Sequence, residues 1–174
     1  MPYLSKNIFA VIMVILSLTL VGCGSTQKKS DSSSDRDSQE KDSTIDNQGL
    51  TLELNGDSDS GTAGALQTVF FAFDSAALTD EAKRNLENNS EYLQDNDDIE
   101  IQIEGHADER GGVQYNLALG EKRAESVKDY LVALGVSSSR ISTLSFGKER
   151  PLAFGHNEEA WSQNRRANFV VTDK

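Results

Sequence analysis

The densest run of chemically capable residues is Gly105-His106-Ala107-Asp108-Glu109-Arg110-Gly111-Gly112, where charges and glycines follow directly on an alternating apolar segment. Downstream, Asn116, Leu119 and Arg123 stand at spacings of three and four, so a helix would carry them on one face. An acid at Asp108 and a guanidinium at Arg123 could meet there. Spacing alone leaves two uses open: an ordinary salt bridge, or a site that holds a ligand bearing both charges. Catalysis would need more. His106, Asp108, Glu109 and His156 could form a metal site or acid-base cluster, but two His in separate loops lack both the His-Glu-x-x-His helix and close ligand spacing. Ser142 and Ser145 lack the Gly-x-Ser-x-Gly elbow of a serine hydrolase. His106 reads instead as a structural histidine that holds a strand end through ring hydrogen bonds.

These residues need a scaffold, and the periodicity of residues 67–174 supplies one. Residues 68–73 are β-branched and aromatic and read as a strand. Thr79 can cap a helix with Asp80 and Glu81 in its first turn and Ala82, Leu86 and Leu93 as its apolar stripe. Ile99, Ile101 and Ile103 alternate with polar residues, the pattern of a strand with one wet face. A longer helix is predicted from about Tyr115 to Leu134, burying Leu117, Ala124, Val127, Leu131 and Leu134 and stopping at Gly135. Residues 141–146 form the next strand, Asn157 caps a short helix, and residues 167–172 form the last strand. The order is β-α-β-α-β-(α)-β, an α/β (α+β) sandwich: an open mixed sheet with helices on one face. The charged run from 105 to 112 then lies past the carboxyl end of a strand, where ligands bind in open α/β sheets.

The rest of the chain is of a different character. Residues 1–22 hold one charge, Lys6, and an apolar run from Ile8 to Val21. A spanning helix needs about 20 such residues, whereas this shorter run ending in small residues describes a secretory signal. Leu20-Val21-Gly22-Cys23 follows, with the chain's only cysteine. It resembles the lipobox of bacterial lipoproteins, which implies acylation of Cys23, and acyl chains together give stable anchoring at ~0.8 kcal/mol per buried methylene. Residues 24–66 are rich in Ser, Asp, Lys and Gly and read as a flexible linker, with a weak alternation at 50–54. The expected organisation is a signal peptide at 1–22, a lipidated Cys and linker at 23–66, and one domain at 67–174.

Composition narrows the partners. A net charge of −11 argues against phosphate-neutralising surfaces, and so against nucleic acid. A single cysteine excludes an internal disulfide and a multi-cysteine zinc site.

Three stretches in order carry a resemblance: FAFDSAAL at 71–78, GHADERGGVQYNLALGEKRAESVKDYL at 105–131, and SFGKERPLAFGHNEEAWSQNRRANFVV at 145–171. Residues 69–171 resemble the peptidoglycan-binding OmpA-like domain, and the lipobox upstream makes the whole similar to the lipoproteins of the Tol-Pal system. The linker is longer than that family usually carries, which affects reach and not chemistry. The resemblance implies a ligand, the stem peptide of peptidoglycan with meso-diaminopimelate, and no cofactor. By position in the family motif, Asp108 would accept from the ligand ammonium, Arg123 would hold its carboxylate, Asn116 would add an amide hydrogen bond, and Leu119 would pack on its methylenes. Phe73 and Asp74 would form the other wall, with Arg166 a further candidate. The resemblance also implies an outer-membrane location, a domain facing the periplasm, and TolB and other Tol-system proteins as partners.

Overall fold

The computed structural model describes residues 51–174 together with the backbone of a two-residue strand, β1 (Thr44–Ile45). The expected signal peptide, Cys23 and, apart from β1, the expected linker up to residue 50 lie outside the described residues. β1 pairs antiparallel with β2 (Thr51–Leu52). The main sheet is built from β3 (Val69–Phe70), β4 (Glu100–His106), β5 (Ile141–Gly147) and β6 (Arg166–Asp173), in the order β3-β6-β4-β5. β4 and β5 are parallel; β6 runs antiparallel to both β4 and β3. A parallel pair needs a long crossover, and α2 (Val113–Ala133) supplies it. α1 (Asp80–Asp95) links β3 to β4, and α3 (Glu158–Asn164) precedes β6. This is the mixed β-α-β-α-β-(α)-β sheet expected from the sequence.

Local signals set the helix ends. Thr79 Oγ1 accepts from the Ala82 amide at 3.1 Å, and Asn157 Oδ1 from the Ala160 amide at 3.0 Å. α2 stops because Gly135 takes φ +105°, letting the Val136 and Gly135 amides return to the carbonyls of Leu131 and Val132. The core lies between helices and sheet, joining Leu86 and Leu93, Val127 and Leu131, Ile101 and Ile103, and Phe169 and Val171.

Two expectations need correction. The buried stripe of α2 opens with Asn116, Gly120 and Arg123, while Leu117 and Leu134 are only half-buried. Gly120 is the reason: a Cβ on Gly105 of β4 would stand 1.8 Å from the Gly120 carbonyl oxygen, so the helix start is pressed directly onto the strand end. The second concerns residues 51–66, assigned above to the linker. They belong to the folded unit. The Asn55 amide donates to Val171 O at 2.8 Å, the Ser58 amide to Phe169 O at 2.9 Å, and the Val171 amide returns to Gly56 O at 3.0 Å, while Ala63 and Leu66 enter the core. Their Gly and Ser content reads as linker because the hydrogen bonds come from backbone and from short polar side chains such as Ser58, whose partners in β6 composition does not reveal.

Candidate ligand-binding cleft

Past the carboxyl end of β4, the loop after β3, the loop after β4 and the first turns of α2 enclose a cleft of about 200 Å³. Phe73 and Asp74 come from the first loop, Ala107, Asp108, Arg110 and Gly111 from the second, and Tyr115, Asn116, Leu119 and Arg123 from the helix. Six of the seven residues named above as ligand-binding candidates therefore converge on one cavity.

Arg166 does not. Its Nε donates to Asp59 Oδ2 at 2.6 Å, pinning the 51–66 segment to the sheet. The neighbouring Arg165 reaches the cleft side instead, with Nη1 3.5 Å from Asp108 Oδ2, Nη2 2.5 Å from Glu158 and Nε 3.1 Å from Phe71 O. Successive residues entering a strand point to opposite faces, which separates the two arginines.

The Asp108–Arg123 salt bridge left open by spacing is not formed. Arg123 is wholly buried and spends its guanidinium on backbone carbonyls: Nε on Ser75 O at 2.8 Å, Nη1 on His106 O at 2.7 Å, Nη2 on Ala72 O at 3.1 Å. It ties both loops to α2. Burial draws its pKa down to about 10, with the Asp108 charge working the other way, so it stays charged at neutral pH. Three of the five N–H groups of a guanidinium are thus committed, and two are left.

Asp108 is 4% exposed and is met by four donors. Its Oδ1 accepts from the Arg110 amide and Nε, each at 3.1 Å, and its Oδ2 from Arg110 Nη2 at 2.6 Å and Arg165 Nη1 at 3.5 Å. Burial pushes the carboxyl up, but the bonds from Arg110 outweigh it and hold Asp108 below the usual carboxylate range. The Arg110 guanidinium lies over the rings of Phe73, at 3.9 Å, and Trp161, at 4.1 Å.

The remaining walls are fixed locally. Asp74 adopts φ +53°, a left-handed conformation that Asp tolerates, and its carboxylate accepts from the Tyr115 hydroxyl. That bond raises the Tyr115 pKa. Asn116 Nδ2 donates to Arg110 O at 2.8 Å and so braces the loop from the helix. Leu119 is half-buried and supplies apolar lining.

Of the acid-base set considered from the sequence, Glu109 and His156 meet at 2.6 Å, and Trp161 Nε1 donates to the same carboxylate oxygen at 2.9 Å. His106 is elsewhere. Its ring is buried and stacked on Phe146 at 5.7 Å, and neither nitrogen has a hydrogen-bond partner, Glu104 being 3.8 Å away. The expected ring hydrogen bonds at the strand end are absent; the His106 carbonyl performs that role by accepting from Arg123. Among the described residues no three His, Cys, Asp or Glu side chains are placed to share a metal ion.

Arg110, Arg165, Trp161 and Tyr115 were not identified from the sequence. The Asp-x-Arg spacing at 108 and 110 inside a Gly-flanked turn was an available signal for the first, since an aspartate readily accepts from the amide two residues on.

Residues 70–165 match the model of the OmpA family. A peptidoglycan-associated lipoprotein of Pseudomonas aeruginosa is 45% identical over 112 residues, covering 64% of this chain and 66% of that protein. One from Brucella melitensis is 36% identical over 160 residues, covering 92% of this chain and 89% of that protein. The crystal structure of the peptidoglycan-associated lipoprotein from Burkholderia pseudomallei is similar at a TM-score of 0.58 and 45% identity, covering 60% of this chain and 88% of that one.

Proposed function

The chain belongs to the OmpA family and, within it, to the peptidoglycan-associated lipoproteins, and from that premise we propose that its cleft grips the cell wall through the zwitterionic end of meso-diaminopimelate. The family is one of wall-binding structural proteins, not enzymes, and the bound polymer leaves chemically unchanged. One observation carries the proposal: a buried carboxylate, Asp108, and a buried guanidinium, Arg123, line the same small cleft without pairing to each other. A ligand offering an ammonium and a carboxylate on one carbon has a counterpart for each charge, in a site where low solvent access strengthens both. Asn116 and Leu119 add an amide and an apolar contact, and the Phe73-Asp74 loop closes the other side.

Acyl chains on Cys23 hold the chain in the outer membrane, with the domain facing the periplasm, and the linker lets the domain reach the wall. Two attachments on one molecule raise effective concentration, so modest affinity per stem peptide suffices. TolB and other Tol-system proteins are the proposed partners, and the arrangement serves envelope integrity and outer-membrane constriction in division.

Co-sedimentation of the full chain in detergent with isolated peptidoglycan tests the reading. Walls carrying diaminopimelate should retain the wild-type chain and lose the Asp108→Ala variant, and walls carrying Lys at that position should retain neither. Equal retention on both walls would overturn the clamp.

A further inference from the structure

Asp108 cannot accept another donor as it stands. A carboxylate offers about four lone-pair sites, and here all four face an N–H: the Arg110 amide, Arg110 Nε, Arg110 Nη2 and Arg165 Nη1. A ligand ammonium must therefore displace one of them. The Arg110 amide is fixed by the turn. Arg165 is 8% exposed and anchored at Phe71 O and Glu158. The guanidinium of Arg110 is the movable donor: it is 31% exposed, and its other neighbours are the faces of Phe73 and Trp161, along which a planar cation can slide without losing contact, and the exposed carboxylate of Glu158, 3.9 Å from Nη2.

We propose that Arg110 is a specificity-determining residue that occupies Asp108 in the empty cleft and is exchanged for the ligand's ammonium, the released guanidinium then taking up the ligand's carboxylate beside Arg123. The inference rests on the clamp proposed above and deepens it. Exchange explains why both charges of the ligand are required. An ammonium alone breaks the close, buried Asp108–Arg110 pair and leaves the guanidinium only the longer contact to exposed Glu158, a pair weakened by solvent, so the exchange gains little. A zwitterion replaces one internal ion pair with two intermolecular ones. Arg123 keeps two N–H groups for the ligand, the other three being held by the carbonyls of Ser75, His106 and Ala72, and the released Arg110 adds further charged donors to the same carboxylate. Discrimination therefore comes from a penalty built against the wrong ligand as well as a contact made to the right one.

The experiment is calorimetric titration of the full chain with two peptides, L-Ala-γ-D-Glu-meso-diaminopimelate and L-Ala-γ-D-Glu-L-Lys, which differ in the one carboxylate. Wild type should prefer the first. In Arg110→Ala the diaminopimelate peptide should bind about tenfold more weakly or worse, while the lysine peptide binds as well as or better than to wild type, so the preference collapses. Arg110→Gln, which keeps length and hydrogen bonding without charge, should behave the same way, and a melting temperature near wild type in either variant confirms an intact cleft. A preference that survives at its wild-type ratio in both variants, with the two peptides weakened in parallel, would overturn the exchange and leave Arg110 as a brace for Asp108. Equal binding of both peptides by wild type would instead overturn the clamp itself.

Discussion

Gly105 of β4 and Gly120 of α2 meet backbone to backbone: a Cβ on Gly105 would stand 1.8 Å from Gly120 O, and one on Gly120 would stand 2.7 Å from Gly105 O. This contact sets how near α2 lies to the strand end, and so places Asn116, Leu119 and Arg123 against the loop that carries Asp108. Gly105→Ala should push the helix outward and cost about 3 kcal/mol, the upper range for an overpacked core. Wall binding should fall further than the loss of folded protein explains. Denaturant unfolding and co-sedimentation on the same variant check this, and full binding by the folded fraction would show that the helix position does not govern the cleft.

Arg123 and Asp108 should differ sharply in what they do for folding. Replacing Arg123 by Met orphans three backbone carbonyls that stitch two loops to α2, at roughly 1 to 3 kcal/mol per buried group left unsatisfied. A loss of about 3 kcal/mol or more is expected, with Arg123→Lys intermediate because an ammonium cannot reach all three oxygens in one plane. Asp108→Asn removes a charge but keeps the oxygen that accepts from the Arg110 amide, and Glu158 remains near the Arg110 guanidinium, so about 1 kcal/mol is expected. Melting temperatures of the three variants give the ranking, and equal losses would contradict it.

The folded unit should need residues 51–66. A chain starting at Gln67 loses Ala63 and Leu66 from the core, the pairing of residues 55–58 with β6, and the Asp59 partner of buried Arg166. Burial of one Leu alone contributes about 1.5 to 3 kcal/mol, so this chain should unfold at markedly lower denaturant than one starting at Thr51. Coincident unfolding curves would show that the segment is only draped on the surface.

The sheet, its helices and the cleft were legible because their signals are periodic or local. Ile99, Ile101 and Ile103 alternate, Thr79 and Asn157 cap, and Asp108 and Arg123 fall in a short charged loop and one helix face. What the sequence hid was long-range. Nothing near Arg123 announces that its guanidinium will meet carbonyls 17 to 51 residues away, and nothing near Asp59 announces Arg166, 107 residues on. Arg165 and Arg166 are alike as letters, and only the register of β6 sends one toward Asp108 and the other away from it.

His106 should make stability depend on pH between neutrality and mild acid. Burial lowers its pKa from the ordinary 6.5, against the opposing pull of Glu104, and Arg166 nearby lowers it further. A base with a depressed folded pKa stays neutral in the fold but gains a proton when unfolded. Its contribution is therefore complete above about pH 6.5 and is lost as pH falls toward the folded value. His156, the other histidine, has the opposite sign: its bond to Glu109 raises its pKa, so it favours the fold in acid, weakly because the side chain is exposed. Asp108 lies outside the window, since its depressed pKa acts only below the carboxylate range. Urea unfolding at pH 7.5 and 5.5 should show wild type less stable at the lower pH. His106→Phe, which keeps an aromatic face for Phe146, should reduce that loss, and His156→Ala should enlarge it slightly. An unchanged pH dependence in His106→Phe would mean that the buried ring is not the group being titrated.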